Sequence, residues 1–210
     1  MIPPPINPQK TPANYKFRHK RPKEDGGASD KIEPLITKLL TEIGENPRRD
    51  GLIKTPQRVA RAWREMTAGY STDINKVFNG AFFKADYREM VIVKDVAFYS
   101  LCEHHMLPFF GKVHLAYIPD GQIIGLSKIP RLVEAFSRRL QVQERLTIQI
   151  ADTLQKKLKP KGVGIVIEAH HLCMTMRGIK NASSSAVTSS MLGIFRSDNR
   201  VREEFLKLIT

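Results

Sequence analysis

The sequence is poor in cysteine and has no long apolar run. Its 210 residues include two cysteines, which are too few for a disulfide framework. No uninterrupted apolar stretch approaches the roughly 18 residues that a membrane-spanning helix requires. Three prolines at residues 3–5 interrupt the N-terminus, where a secretory signal would need an apolar segment. We therefore expect a cytoplasmic protein with reduced thiols and no membrane partner.

Acidic residues are also scarce relative to basic ones. There are 34 Lys and Arg against 21 Asp and Glu, which gives a formal net charge of +13. Such an excess favours an anionic partner: nucleic acid, an acidic surface or a phosphorylated small molecule. The sequence lacks a lysine-rich stripe with interleaved aromatic residues, which is typical of single-strand binding. We expect no nucleic-acid partner, and a zinc-stabilised nucleic-acid-binding module is the alternative that the charge supports.

Each cysteine stands two residues from a histidine. Cys102 lies in S-L-C-E-H-H-M-L-P-F at residues 100–109, and Cys173 lies in H-H-L-C-M-T-M-R-G at residues 170–178. Two thiolates and the imidazole of His105 suit a tetrahedral zinc ion, and three protein ligands leave the fourth position to water. Ligand softness favours Zn²⁺ over other divalent ions. We predict a zinc site formed by Cys102, His105 and Cys173.

Two further histidines, His104 and His171, would lie beside this ion without binding it. His171 and Cys173 are two apart in a predicted strand, so their side chains would share a face. Cys102 and His105 are three apart and can share an ion only if the chain bends between them. An open zinc ion with histidines beside it has the parts of a hydrolase acting on a C=N or C=O carbon. The alternative is a structural zinc site, in which a neighbouring histidine occupies the fourth coordination position.

The N-terminal part of the chain predicts an arm followed by helices. Residues 1–30 are rich in proline, glycine and basic groups, which favours disorder. Helical spacing follows at residues 32–43, with Asp30 as the N-cap. A second helix is predicted to begin after an N-cap at Thr55, which is followed by proline, and to end at about residue 69. The expected divisions are an arm at 1–30, an N-terminal helical region at 31–88 and a catalytic domain at 89–210.

From residue 89 onward, strand patterns alternate with helical ones. β-branched and aromatic residues predict two strands that flank a bend at residues 102–110. A helix pair then separates this hairpin from a second one, and a short helix ends the chain. The predicted strands are 91–98, 113–118, 123–126, 163–176 and 186–195. The predicted helices are 127 or 128 to 140, 143–158, and 198 or 199 to 208. We expect an α+β fold with an antiparallel sheet.

Several segments together resemble GTP cyclohydrolase I. Besides the two cysteine segments, they are G-L-I-K-T-P-Q-R-V (51–59), G-K-V-H-L-A-Y-I-P (111–119), G-L-S-K-I (125–129) and R-L-Q-V-Q-E-R-L-T (139–147). The likeness runs in order from residue 32 to residue 208. It implies the tunnelling fold: an antiparallel four-stranded sheet with two helices on one face, preceded by N-terminal helices. It also implies a homo-oligomer, a decamer of two pentamers, with active sites between subunits.

The family converts GTP and water into 7,8-dihydroneopterin triphosphate and formate, the entry step to folate and other pterins. The resemblance implies that the predicted ligands hold zinc and that water activated there attacks C8 of guanine. His171 would protonate the ring nitrogen, and His104 would assist proton transfer on the ribose side. An inactive pterin-binding relative is a competing interpretation. The implied GTP contacts are Glu144 and Gln143 at guanine, and Ser127, Lys128, Arg131, Arg177 and Arg58 around the triphosphate.

Overall fold

The computed structural model describes residues 31–178 and 184–210. The predicted arm at 1–30, with the expected N-cap Asp30, lies outside the described residues. Within the described part, no helix combines the length and the apolar content that crossing a bilayer requires.

Helices precede the sheet, separate its strands and follow it. The helices at 128–137 and 143–158 each bury an apolar stripe against the rest of the molecule. In chain order they are α1 (Ile32–Glu42), α2 (Thr55–Met66), α3 (Ile74–Phe78), α4 (Lys128–Ser137), α5 (Gln143–Leu158), α6 (Leu172–Thr175), α7 (Ile194–Ser197) and α8 (Asn199–Ile209). A 3₁₀ turn, Ala68–Ser71, follows α2.

The strands form one large sheet and one small ribbon. They are β1 (Phe82–Lys84), β2 (Val91–Cys102), β3 (Pro108–Ile118), β4 (Gln122–Ile124), β5 (Leu140–Gln141), β6 (Gly162–His171) and β7 (Ala186–Gly193). The large sheet has the order β5-β2-β3-β6-β7, and β1 pairs with β4 in the ribbon. The ribbon places a strand inside the region at 31–88 that was expected to be helical.

The large sheet is mixed, which corrects the expected four-stranded antiparallel sheet. Its four long strands are antiparallel to their neighbours. The fifth strand, β5, runs parallel to β2, with Leu140 opposite Leu101 and Gln141 opposite Cys102. It forms because the chain leaving α4 returns alongside the end of β2 before α5 begins. This two-residue strand places the start of α5 next to Cys102.

The main core lies between the sheet and the pair α4 and α5. Alternate residues of β3, such as Val113 and Leu115, face the helices and are fully buried. Leu146 and Ile150 of α5 pack into the same cluster. Burying one such aliphatic side chain contributes about 2 kcal/mol, so this layer fixes the sheet against the helix pair. A second cluster, around Phe195, covers part of the opposite face.

A glycine allows the backbones of β3 and β6 to come close near the cysteine-bearing end of the sheet. A Cβ at Gly111 would lie 1.8 Å from the carbonyl oxygen of Glu168. No side chain fits at that distance, so this position accepts only glycine. The adjacent pairs Phe110–His170 and Phe109–His171 depend on the same close register.

Several predicted boundaries are confirmed and others are wrong. The helix predicted to residue 140 ends at Ser137, and the strand predicted to residue 195 ends at Gly193. Helix α5 has the expected bounds, and Asp198 caps α8 by accepting a hydrogen bond from Arg200 N at 2.9 Å. Thr55 is the first residue of α2 rather than its N-cap, and its hydroxyl donates to Gly51 O. The strand predicted over 163–176 ends at His171, where a helical turn replaces it.

Candidate metal centre and active site

The chain reverses direction between β2 and β3, and this bend carries three predicted site residues. Cys102 ends β2, and β3 begins at Pro108. Met106 N donates to Cys102 O at 2.7 Å, and Cys102 N donates to Leu107 O at 2.8 Å. Met106 takes a left-handed conformation, with φ at 56°, which tightens the bend. The expected bend between Cys102 and His105 is confirmed.

The second cysteine reaches this bend from the other side of β3. Strand β3 lies between β2 and β6, and β6 ends at His171. The chain then turns into α6, where Thr175 Oγ1 donates to His171 O at 3.1 Å. Cys173 therefore lies in a helical turn, and strand alternation does not explain its position beside His171. The turn itself brings Cys173 to the end of the sheet.

The three predicted ligands converge. The ligand atoms of Cys102, His105 and Cys173 all lie within 4.8 Å of one another. Cys102 is 6% exposed and Cys173 is partly buried. Burial and the neighbouring Cys102 thiol raise the pKa of Cys173. Two thiols and an imidazole gathered in a partly buried group fit a soft cation that displaces the thiol protons. The group can therefore hold a metal ion.

The two adjacent histidines of the bend flank Cys102 differently. His104 Nδ1 and His105 Nδ1 each lie 3.9 Å from Cys102 Sγ. Only His105 also lies close enough to Cys173 to join the group of three. His104 is exposed beside it, with its ring 6.3 Å from that of His105. The structure thus places His104 next to the candidate metal position and outside the ligand set.

His171 lies at the end of β6, held by two neighbours. Its ring stacks on Phe109, with centroids 4.7 Å apart and planes 3° apart. Its Nε2 lies 2.8 Å from Oε1 of Gln143. Burial lowers the pKa of His171, the charge of Glu144 opposes this effect, and His170 reinforces it. His171 is therefore an oriented imidazole that favours the neutral form.

The first turn of α5 carries the two predicted guanine contacts in different surroundings. Glu144 is exposed. Gln143 is 3% exposed. Its Nε2 donates to Ile167 O and Ala186 O, both at 3.0 Å. The structure therefore leaves the carboxylate of Glu144 accessible to a ligand, whereas the amide of Gln143 already bonds within the chain.

An ion pair that the sequence did not suggest ties the bend to α5. Arg145 Nη2 donates to Glu103 Oε1 at 2.9 Å, and Nη1 donates to the other carboxylate oxygen. Arg145 holds the pKa of Glu103 below its usual range. Glu103 N also donates to Gln141 O at 3.0 Å. The only signal in the sequence was adjacency, since Glu103 follows Cys102 and Arg145 follows Glu144.

The residues predicted to contact the triphosphate lie in different parts of the chain, some near Cys173 and others at the start of α4 or on α2. Arg177 lies just past α6, close enough for its charge to act on Cys173. Ser127 caps the start of α4 without a capping hydrogen bond from its side chain, and Lys128 and Arg131 follow in the first turn. Arg58 is exposed on α2.

The start of α4 lies away from the cysteine group within one chain. Arg139, just past its other end, accepts hydrogen bonds from Ser100 Oγ and Leu101 N beside Cys102. The start of α4 follows β4, which bonds to Tyr117 at the opposite end of β3. Nine helical steps separate the two ends of α4, about 14 Å at 1.5 Å per residue. The cations of α4 and the cysteine group therefore do not form one site within a single chain.

The fold and the site together define an α+β protein with a candidate Cys₂His metal centre next to an oriented histidine. The sequence model of the family GTP cyclohydrolase I matches residues 32–210. The chain is 56% identical over 178 residues to GTP cyclohydrolase 1 of Leptospira biflexa, covering 85% of this chain and 97% of that protein. It is 54% identical over 186 residues to GTP cyclohydrolase 1 of Chlorobium chlorochromatii, covering 89% of this chain and 83% of that protein.

Among solved structures, the archaeosine synthase QueF-Like in the apo form matches with a TM-score of 0.42 and 15% identity. That match covers 50% of this chain and 93% of the other. The sequence matches extend over most of the chain. The chain belongs to the GTP cyclohydrolase I family and is an enzyme of that class.

Proposed function

We propose that the protein is a zinc-dependent GTP cyclohydrolase I, which opens the guanine ring of GTP to give 7,8-dihydroneopterin triphosphate and formate. The observation that carries this proposal is the convergence of Cys102, His105 and Cys173 beside the oriented ring of His171. Membership of the family supports the substrate assignment. The reaction would begin pterin and tetrahydrofolate synthesis. The two free cysteines suit the reducing cytoplasm, where we place the enzyme.

The metal ion would be held by Cys102, His105 and Cys173. Zn²⁺ is the best fit, because thiolate and imidazole donors match its softness and three ligands leave a position for water. When bound, the ion would supply activation of water for attack on C8 of guanine. Because the pKa of Cys173 is raised, its thiol holds a proton that binding of the ion would displace.

The two histidines beside the ligands would move protons. His171 favours the neutral form because burial lowers its pKa. A neutral imidazole can accept a proton and then deliver it to the ring nitrogen as the bond to C8 opens. His104 is exposed on the other side of the ligand group, where it would assist proton transfer and contact the ribose.

Glu144 would read guanine. Its carboxylate is exposed at the start of α5, next to the residue that contacts His171. A carboxylate accepts hydrogen bonds from the ring N–H and the exocyclic amine of guanine. Adenine presents a different edge and would leave the carboxylate unpaired, so the site would reject it.

The triphosphate would be bound by residues of two chains. Arg177 lies near Cys173 in the same chain, whereas Ser127, Lys128 and Arg131 lie at the far end of α4. A neighbouring copy that places its own α4 start next to this cysteine group would complete the site. This arrangement agrees with the tunnelling fold and with a homodecamer of two pentamers. Arg58 on α2 could join the same cluster from either chain.

The proposal is tested by mixing zinc-loaded protein with GTP and following pterin fluorescence. We expect product formation that a chelator abolishes and added Zn²⁺ restores. Cys173→Ser should lose zinc and activity together while the protein stays folded. Met176→Ser, in the same segment but without a ligand role, is the matched control and should keep both. Folded, zinc-loaded wild-type protein that makes no pterin would overturn the proposal.

A further inference from the structure

Gln143 bonds to His171 in a way that fixes which atom of the amide faces the ring. The amide nitrogen donates to the backbone carbonyls Ile167 O and Ala186 O, at 3.0 Å each. A carbonyl oxygen only accepts hydrogen bonds, so the group facing both of them must be the NH₂. The amide oxygen Oε1 is therefore the atom that lies 2.8 Å from His171 Nε2.

The threonines next to Gln143 support the same orientation. Thr147 Oγ1 donates to Gln143 O at 2.8 Å, so its proton is committed to that bond. In the 2.7 Å contact between the two hydroxyls, Thr188 must then be the donor and Thr147 the acceptor. Gln143 Nε2 also lies 3.2 Å from Thr188 Oγ1, and because the amide has two hydrogens for three acceptors, one hydrogen is shared between Thr188 Oγ1 and a carbonyl oxygen. With the Gln143 amide oxygen facing His171, every donor in this network has an acceptor, whereas the flipped amide would place its oxygen against two backbone carbonyl oxygens.

An amide oxygen cannot donate, so the hydrogen in the contact with His171 must come from the imidazole. We infer that Gln143 is a positioning residue that holds His171 as the Nε2–H tautomer and leaves Nδ1 as the nitrogen that exchanges protons with the substrate. The stack on Phe109 fixes the ring plane, and the amide fixes the rotation within that plane. This inference rests on the proposed function for its catalytic consequence, but not for the tautomer itself.

This role differs from the guanine contact that the resemblance implied for Gln143. Its side chain is 3% exposed, and both ends of the amide already have partners within the chain. A ligand could reach the amide only by displacing His171 or a backbone carbonyl. Contact with guanine would therefore fall to the exposed Glu144.

The tautomer can be measured directly on the zinc-loaded enzyme. Nitrogen-15 spectra of histidine-labelled protein distinguish a protonated Nε2 from a protonated Nδ1, and the His171→Asn protein identifies the signal to follow. We expect wild-type His171 to show protonated Nε2 and unprotonated Nδ1 at a pH where the ring is neutral. Protonated Nδ1 in the wild type would overturn the inference without any variant of Gln143.

Gln143→Met keeps the approximate size of the side chain and removes the acceptor. We expect His171 to lose its fixed tautomer, kcat to fall by roughly ten- to a hundredfold, and KM for GTP and zinc content to change little. Thr188→Val disturbs the same network but leaves both carbonyl partners of Gln143, so it should keep the tautomer and kcat. Gln155→Met removes a Gln-to-carbonyl hydrogen bond farther along α5 and should have no effect on His171.

The two roles of Gln143 predict opposite kinetic changes. A guanine contact would raise KM when it is removed and would leave the His171 spectrum unchanged, and that result would refute the positioning role. If the wild-type enzyme proves inactive on GTP but His171 still shows the Nε2–H tautomer, the proposed function fails while the assignment of the tautomer stands.

Discussion

At the scale of single residues, the site depends on a few groups whose chemistry is set by burial. Cys173 is partly buried beside Cys102, and both features raise the pKa of its thiol. His171 is buried enough that its pKa falls. One group thus keeps its proton until a cation arrives, and the other gives its proton up at neutral pH. Without a metal ion, the Cys173 thiol is therefore protonated and the His171 imidazole is neutral.

Metal affinity should therefore depend on pH. Below the raised pKa of Cys173, zinc must displace a proton from the thiol, so we expect the apparent affinity to rise by about tenfold per pH unit for each proton released. Competition titrations against a chelator of known pH dependence, between pH 6 and pH 8, would measure this. An affinity that stays constant over that range would show that the Cys173 thiol is already ionised in the metal-free protein.

The sequence predicted individual ligands better than it predicted their supports. Two cysteines with histidines nearby were sufficient to predict the group Cys102, His105 and Cys173 that the structure brings together, because few other residues offer such donors. The supports were missed, since Gln143 bonds to residues from β6 and β7, and Arg145 bonds to a residue in the bend. Hydrogen bonds between distant segments leave no local pattern of spacing.

At the scale of elements, the bend at 103–107 is fixed to α5 by the pair Glu103–Arg145. The two side chains are about two-thirds buried and pair through both carboxylate oxygens. Because Glu103 lies between Cys102 and His104, this pair also limits where the bend can move. The helix that carries Gln143 and Glu144 is thereby held against the strand end that carries the thiol.

Arg145→Met should lower the free energy of unfolding by about 1 kcal/mol at pH 7, because a partly buried bidentate pair is lost. Arg145 depresses the pKa of Glu103, so the contribution is present at neutral pH and is lost as the pH falls through that lowered pKa. Chemical denaturation at pH 7 and in acid should show the gap between wild type and variant closing.

Arg88→Met is the control for this prediction. Arg88 pairs with Asp86 through side chains that are 78% and 89% exposed, so its loss should have almost no effect. Equal stability of Arg145→Met and wild type at pH 7, or a gap that widens in acid, would contradict the account.

Element boundaries were predictable where local signals were strong. Helix α5 begins and ends as predicted, since apolar residues repeat at helical spacing and Pro160 and Gly162 follow its end. The strand over 163–176 was predicted too long because no proline or glycine lies between His171 and Arg177 to mark the turn into α6. Strand β5 has two residues, too few to show the alternation of apolar and polar residues that predicts a strand. It forms because the chain runs beside the end of β2.

At the scale of the whole molecule, one chain holds the metal group and the start of α4 at opposite ends of the sheet. The order of the longer elements and the α+β class followed from the sequence, because helical and strand patterns alternate clearly along it, whereas the short elements α3, β1, α6 and α7 were missed. The fifth strand and the separation of the cations did not follow, since both depend on how α4 lies across the sheet. We therefore propose that a second copy of the chain completes the site.

This arrangement predicts that two impaired variants complement each other. Cys173→Ser removes the metal half of the site, and Lys128→Ala weakens the phosphate half in the neighbouring chain. After dissociation and reassembly as an equal mixture, roughly a quarter of the sites should combine two intact halves and regain activity. Each variant reassembled alone is the control. A mixture no more active than the two variants separately would place both halves in one chain.

The most direct measurement is the fate of C8 in GTP labelled at that carbon and incubated with zinc-loaded enzyme. We predict that the label leaves as formate, with one formate released for each dihydroneopterin triphosphate formed, and that Cys173→Ser releases none. Label that remains in a purine or pterin product, or formate released equally well by the Cys173→Ser protein, would contradict this prediction.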